Sequence, residues 1–250
     1  DLPWRRVRDP YAIWLSEIML QQTRVETVID YYTRFLERFP TVDSLAAARE
    51  DDVLKLWEGL GYYSRALNLL KSARVIAERF DGVFPSTVEE LQLLPGIGRY
   101  TAGAIASIAF GVRAPVLDGN VKRVLTRLYA IEERIDQAAT INRLWELAEA
   151  LVPPRSPGDF NQALMELGAR ICLPKKPLCS GCPIRARCEA RALGFQDRIP
   201  AQRPSKKLPH CHVVAAAIRK NGRYLLGKRP PDGMLGGLWE FPGGKVEPGE

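Results

Sequence analysis

Four cysteines stand close together in this 250-residue chain, Cys172, Cys179, Cys182 and Cys188, in the spacing C-x6-C-x2-C-x5-C. Thiolates at that density suit a soft metal, and with no histidine in the set both zinc and an iron–sulfur cluster fit. Disulfides do not, because no secretory signal is visible. Lys175, Lys176, Arg185 and Arg187 flank these cysteines and add positive charge able to grip phosphate, while Cys211 stands outside the set. Two carboxylates are the other candidates. Glu17 lies among Ile13, Trp14, Ile18 and Leu20, where desolvation raises a carboxyl pKa toward neutrality; from spacing alone, a partly exposed glutamate paired with Arg24 is the better account. Asp118 heads the run Asp118-Gly119-Asn120, which opens a helix, and there the dipole favours an ionised carboxylate. The chain's two histidines, His210 and His212, lie near its end. Everything before them therefore works without imidazole, which excludes a Ser/His or Cys/His nucleophile and leaves carboxylates, Lys and Tyr.

The elements that position these groups are helices. Asp9-Pro10 reads as N-cap and first residue of a helix running through Gln22. Ser86 and Glu89 read as a capping box ahead of Leu94-Pro95-Gly96-Ile97-Gly98, a sharp turn into a small-residue helix from Arg99 to Phe110. A hairpin of that kind leaves unpaired N–H groups pointing outward, which makes an anion site. Further helices are predicted over 24–39, 51–60, 65–80, 120–131, 140–152 and 158–171. Between two of them, Gly59-Leu60-Gly61-Tyr62-Tyr63 forms a loop whose adjacent aromatics suit either base stacking or the core.

A formal net charge of +7 favours a polyanionic partner, and 46% hydrophobic residues supply a core. No apolar run approaches the roughly 20 residues of a membrane-spanning helix. Near residue 198 the character changes. Residues 198–210, rich in Pro and Lys, read as a linker, and Asn221-Gly222 between the runs 213–218 and 224–226 signals a β-hairpin. His210-Cys211-His212 is too cramped to chelate a metal. The chain starts at Asp1 and stops at Glu250 inside a motif, and reads as a fragment.

LPGIGRYTAGAI (94–105) resembles the helix-hairpin-helix of the base-excision DNA glycosylases related to endonuclease III, and VLDGNVKRV (116–124) resembles their catalytic-aspartate segment. Within that superfamily the resemblance is strongest to the MutY-type adenine DNA glycosylases, over roughly the first four-fifths of the chain. It implies a mainly α fold: two helical subdomains with a helix-hairpin-helix and cluster loop 172–188 in a glycosylase domain over 1–197. A truncated α/β Nudix-like segment would follow over 211–250, because GGLWEFPGGKVEPGE holds Gly244 and Glu250 in the G-x5-E spacing. The cofactor implied is a structural [4Fe–4S] cluster on the four cysteines.

The same resemblance assigns roles by position. Glu17, in SEIMLQQT, matches the catalytic acid, and Asp118 the residue that stabilises an oxocarbenium-like sugar. Asn120 orients Asp118 or water, and Tyr100 sits beside both. Trp4 and Arg5 help form the adenine pocket, and Gln162 touches the flipped base. Gln21 and Gln22 lie near the DNA, the Leu60-Gly61-Tyr62 loop enters the duplex with Tyr62 as a wedge, and amides around Gly96 and Gly98 bind a phosphate. The expected partner is double-stranded DNA with A opposite 8-oxoguanine or G, bound by a monomeric, cytoplasmic, nucleoid-associated bacterial enzyme. Two rival activities are a bifunctional glycosylase/lyase of the endonuclease III type, which needs a lysine where this chain has Tyr100, and a Nudix-type nucleotide-pyrophosphate hydrolase in the full-length protein. A non-enzymatic damage binder leaves Glu17 and Asp118 unexplained.

Overall fold

The computed structural model describes residues 2–201, 210–230 and 235–246. Two helices run through its middle. Helix α1 (Pro10–Met19) starts at Asp9, whose carboxylate accepts from the amides of Tyr11 and Ala12 at 3.1 and 3.3 Å, with Pro10 in the first turn where no N–H is needed. Every residue from Tyr11 to Met19 is buried. The later small-residue helix, Arg99–Phe110, is likewise buried from Thr101 to Ile108. Helices covered on all sides belong inside a fold rather than on its surface, and these two pack against each other.

Each contributes to two hydrophobic clusters. Trp14, Leu15, Ile18, Ala102 and Ile105 belong to a cluster with the intervening helices α2 (Val25–Arg38), α3 (Val42–Ala46), α4 (Glu50–Trp57), α5 (Ser64–Arg79) and α6 (Val88–Leu91). Edge-on aromatic contacts tie that cluster together, Trp14 to Phe84 with centroids 5.4 Å apart and Phe35 to Trp57 at 6.2 Å. Ile13, Ala104 and Ile108 face a second cluster. It is completed by α8 (Gly119–Leu128), α9 (Ala138–Leu151) and α10 (Pro157–Arg170), which follow the central helix Arg99–Phe110, hereafter α7. The cysteine loop, with two single 3-10 turns and the short α11 (Glu189–Ala192), closes over the second layer. The mainly helical, two-subdomain architecture expected from the sequence is therefore present.

Several boundaries differ. Helix α1 stops at Met19, not Gln22, because the chain turns at Gln22, whose φ is +57°. The expected capping box is not formed; instead Thr87, not Ser86, has the extended N-cap conformation, accepts from the Glu90 amide at 3.2 Å and donates to its carboxylate at 2.8 Å. Ile199, at the start of the expected linker, is buried, and its carbonyl accepts from Arg127 at 2.8 Å. Most of the remaining linker lies outside the described residues.

The C-terminal segment forms short antiparallel pairs: β1 (Val213–Ala215) with β6 (Gly243–Lys245), β2 (Arg219–Lys220) with β3 (Arg223–Tyr224), and β4 (Gly227–Lys228) with β5 (Trp239–Glu240). Asn221 and Gly222, at φ +51° and +77°, make the tight turn between β2 and β3 that an Asn-Gly pair predicts. Gly244 lies in β6, whereas Glu250 is outside the described residues.

The stretch leading to Asp118 is laid directly on α7. A Cβ on Gly103 would fall 2.2 Å from the Pro115 carbonyl oxygen, so only glycine permits that approach. Gly103→Val is therefore expected to lower the unfolding free energy by about 1–3 kcal/mol through overpacking. Gly119→Ala, where nothing lies within 4 Å of the added carbon, should cost much less; denaturant titration of both variants checks the contrast.

Candidate active site

Glu17 sits on the last full turn of α1 and is only 8% exposed. Across the central packing, the Tyr100 hydroxyl from the first turn of α7 donates to its Oε2 at 2.7 Å and lies 3.3 Å from the Met165 sulfur on α10. The pairing with Arg24 that spacing favoured does not describe this carboxylate. Burial pushes the Glu17 carboxyl above the usual range; the Tyr100 hydroxyl and the Arg5 guanidinium pull it back, and Asp118 adds a further upward push. Burial, reinforced by Glu17, also holds the Tyr100 phenol well above its ordinary value, so it stays a donor.

Asp118 is the N-cap of α8, as the sequence predicts, and its Oδ1 accepts from the Val121 amide at 2.7 Å. Its Oδ2 accepts from the Asn120 side-chain amide at 3.0 Å. The expectation that the helix dipole decides its charge needs correcting. Burial outweighs the donors and raises this carboxyl too, although the Val121 amide, the Asn120 side chain and backbone, and Arg123 all pull it down. The two carboxylates thus differ less in direction than in how many donors each faces.

Asn120 is itself held. Arg123, one turn on, donates from Nη2 to the Asn120 Oδ1 at 2.8 Å and to the Gly168 carbonyl at 2.7 Å, and from Nε to the Cys172 carbonyl at 2.7 Å. With its oxygen so engaged, the amide can present only its NH2 to Asp118. Gly168 lets α10 pass close behind, since a Cβ there would lie 2.6 Å from that of Asn120. Arg5 donates to the Gln162 Oε1 on α10, so the N-terminal Arg5 joins the same centre. Arg5 with Gln162, Glu17 with Tyr100, and Asp118 with Asn120 are in contact, and Arg5 and Asp118 both lie near enough to Glu17 to act on its charge.

The hairpin stands beside them. Gly96, at φ +78°, makes the turn, and Gly98 is an N-cap without a side chain, leaving the first amides of α7 uncapped at a positive helix end. Gln21 reaches across to the Thr101 hydroxyl at 3.4 Å, while Gln22 is exposed. Tyr62 projects with 56% of its surface exposed, whereas Gly61, behind it, accepts from the Trp57 indole at 3.1 Å. Two expected DNA-contacting residues are core residues instead: Trp4, 5% exposed and edge-on to Tyr32, and Leu60, 7% exposed. Their apolar side chains are covered by the first cluster and support Arg5 and the loop from behind. Sequence reasoning missed Met165, Arg123 and Arg65. A regular i, i+3 offset from Asn120 is the one signal that pointed to Arg123.

Cys172, Cys179, Cys182 and Cys188 carry free thiols and line one small cavity together with Arg127, Arg185, Arg191 and Gln196. Arg127 donates to the Cys172 sulfur at 3.3 Å and to the Leu173 and Pro174 carbonyls at 2.6 and 3.1 Å. The Gln196 Oε1 is buried there without a partner. Among the described residues, no three carboxylate, imidazole or thiol groups converge on a point that would hold a single ion.

A helical hairpin beside a buried and a half-buried carboxylate, with an adjoining four-thiol cavity, defines a helix-hairpin-helix protein with a paired-carboxylate centre. Residues 15–150 match the HhH-GPD superfamily of base excision DNA repair proteins, and the chain belongs to that family. Residues 213–250 match the NUDIX domain. The chain is 42% identical to the human adenine DNA glycosylase, with all of this chain and 56% of that protein covered. It is 47% identical to an adenine DNA glycosylase of Buchnera aphidicola, covering 96% of this chain and 68% of that one. The chain thus spans little more than half the length of its mammalian relatives. Among solved structures, a thermostable thymine-DNA glycosylase superposes with a TM-score of 0.69 at 33% identity, over 77% of this chain and 89% of that one. An endonuclease III–DNA complex, at 24% identity and a TM-score of 0.65 over 76% of this chain and 87% of its own, shares the fold.

Because the Tyr100 hydroxyl lowers the Glu17 pKa, Tyr100→Phe should raise it further; because the Asn120 amide lowers that of Asp118, Asn120→Ala should raise Asp118 instead. Carbon-13 titration of labelled carboxylates in both variants reads the two shifts separately. A fall in either value would contradict the assigned partners.

Proposed function

We propose that this chain is the glycosylase portion of a monofunctional adenine DNA glycosylase, removing adenine opposite 8-oxoguanine or G in double-stranded DNA. The observation that carries the reading is the Glu17–Tyr100 contact beside the Asp118–Asn120 pair, in a chain whose relatives are named adenine DNA glycosylases. Adenine leaves the sugar readily only when protonated. Extruding it from the stack costs a few kcal/mol, less at a mispair. Glu17, kept protonated by burial, accepts from Tyr100 at Oε2, so its proton sits on Oε1, free to pass to the base at N7. Asp118, ionised and steadied by Asn120 and the Val121 amide, stabilises the oxocarbenium-like sugar or forms a transient bond to it. Asn120 then orients the attacking water. Arg5 and Gln162, joined to one another, wall the base-side pocket. The uncapped amides at Gly98 and Arg99 take up a backbone phosphate without reading sequence.

The four thiols fit a [4Fe–4S] cluster in a structural role. Four thiolates without histidine suit either zinc or an iron–sulfur cluster, and membership of the glycosylase superfamily favours the cluster; Cys172, Cys179, Cys182 and Cys188 line one cavity with Arg127 and Gln196. Such a cluster would hold the loop folded against α8. Purified protein should be brown, with iron and sulfide in equal amounts, and Cys211→Ser should leave both unchanged. Colourless protein carrying stoichiometric zinc from an iron-replete culture would overturn this assignment.

A lyase forms an imine through a neutral amine, and the Tyr100 phenol cannot. Incubation with duplexes carrying A opposite 8-oxoguanine, G or T should yield intact strands with abasic sites, cut only after base or heat. Borohydride should trap little covalent complex, and Glu17→Gln should lower excision by several orders of magnitude. Tyr100→Lys should gain trapping. Efficient trapping by the unmutated protein, persisting after Lys122 is replaced, would restore the lyase reading.

A further inference from the structure

Arg65 points back from α5 into a gap between the end of α1, with the turn after it, and the loop ahead of Tyr62. Its Nη1 donates to the carbonyls of Ile18, Met19 and Gln21 at 2.8, 3.0 and 2.6 Å. Its Nη2 donates to the Thr23 hydroxyl at 3.2 Å and to the carbonyls of Leu60 and Gly61 at 3.3 and 3.2 Å. One nitrogen therefore closes the C-terminal end of α1 and the turn after it, and the other ties that turn to the loop ahead of Tyr62. The guanidinium also lies 5.3 Å from the Trp57 ring centroid and 5.5 Å from that of Tyr62. All six hydrogen-bond acceptors are neutral. What the site needs from Arg65 is a planar fork of fixed directions rather than a countercharge.

The two segments share a second property. Gln22 and Tyr62, exposed on either side of the guanidinium, both adopt left-handed backbone, at φ +57° and +47°. Non-glycine residues in that region cost of order 1–3 kcal/mol each and persist where their surroundings over-determine them. Here the Gln21 carbonyl and the Thr23 hydroxyl on one side, and the Gly61 carbonyl on the other, are held by the same side chain.

We propose that Arg65 is a positioning residue that locks the Gln21–Thr23 turn and the Gly61–Tyr62 loop into one rigid edge, so that Gln22 and Tyr62 meet a DNA duplex together. The role at DNA rests on the proposed glycosylase function; the locking does not. Arg65 touches no reacting group. Without the fork, each segment relaxes toward ordinary backbone conformation, the two exposed side chains lose their fixed separation, and base extrusion slows while phosphate contacts persist.

Two measurements on the whole chain, with its metal bound, test this. In amide hydrogen exchange of the free protein, Arg65→Lys should speed exchange over residues 20–23 and 60–63 together, with α7, α8 and α10 unchanged. Thr23→Val keeps the arginine and touches only one segment. It should nevertheless loosen residues 60–63 as well, because the shared guanidinium loses an anchor. If Arg65→Lys exchanges faster everywhere, Thr23→Val alone decides, and protection lost only near residue 23 overturns the locking. In the second arm, 2-aminopurine replaces the target adenine opposite 8-oxoguanine. Arg65→Lys should cut the fluorescence rise and the single-turnover rate by up to about 100-fold, while affinity for an undamaged duplex changes less than about threefold. Equal losses in affinity and rate would mark Arg65 as merely structural and overturn its positioning role. Failure of the unmutated protein to excise adenine would instead defeat the glycosylase reading and leave the exchange arm to judge the locking alone.

Discussion

Everything in this molecule depends on the packing of α1 against α7. Both helices are buried along almost their whole length, the polar Ser16, Glu17, Thr101 and Ser107 included, and packing them against each other divides the remaining helices into two layers. The same contact sets Glu17 opposite Tyr100. A buried carboxyl is costly to ionise, and the fold meets that cost with a phenol donor rather than a cation in direct contact. A full countercharge at that distance would have held Glu17 anionic. A neutral donor steadies its geometry while burial still pushes its pKa upward.

Asp118 solves the opposite problem with the same materials. It is half-buried and also pushed upward, but it stands at a helix start, where a backbone amide, a side-chain amide and the Arg123 guanidinium face it. The relay from Asp118 through Asn120 and Arg123 ends on the Cys172 carbonyl. The folding of the cysteine loop and the orientation of the aspartate are therefore linked by hydrogen bonds. The same Arg123 nitrogen that holds Asn120 is also anchored on the Gly168 carbonyl of α10, so the relay has a second fixed point outside the loop.

Much of this was legible in the sequence, for identifiable reasons. Pro10, Gly98 and Asp118 are local signals that act within a turn of where they stand, so the starts of α1, α7 and α8 could be read directly. The cysteine spacing was legible because all four cysteines lie close together in sequence. Trp4 and Leu60 were misplaced because a motif gives neighbours in sequence, not which member turns inward. Thr87 replaced Ser86 as cap because either side chain could accept, and only the local backbone decided. The capture of Gln162 by Arg5 and of the Cys172 carbonyl by Arg123 join residues far apart along the chain, and no local pattern announces them.

Arg65, Arg123 and Arg127 form the least legible class, and they share one physical task. Each spends its donors largely on backbone carbonyls at places where regular structure ends: the end of α1, the end of α10, and the entry to the cysteine loop. Carbonyls orphaned there would otherwise be buried unpaired, at a cost of about 1–3 kcal/mol each. A lysine offers three donors from one point and cannot serve acceptors spread over two segments, whereas a guanidinium offers five in fixed directions. Such an arginine looks in sequence like any basic residue of a DNA-binding protein. In the fold it replaces a missing stretch of secondary structure. Part of this chain's positive charge is therefore committed inward, and the +7 excess overstates what is available to meet a phosphate backbone. On the glycosylase reading, the uncapped amides at the start of α7 would then matter beside surface charge in meeting a phosphate.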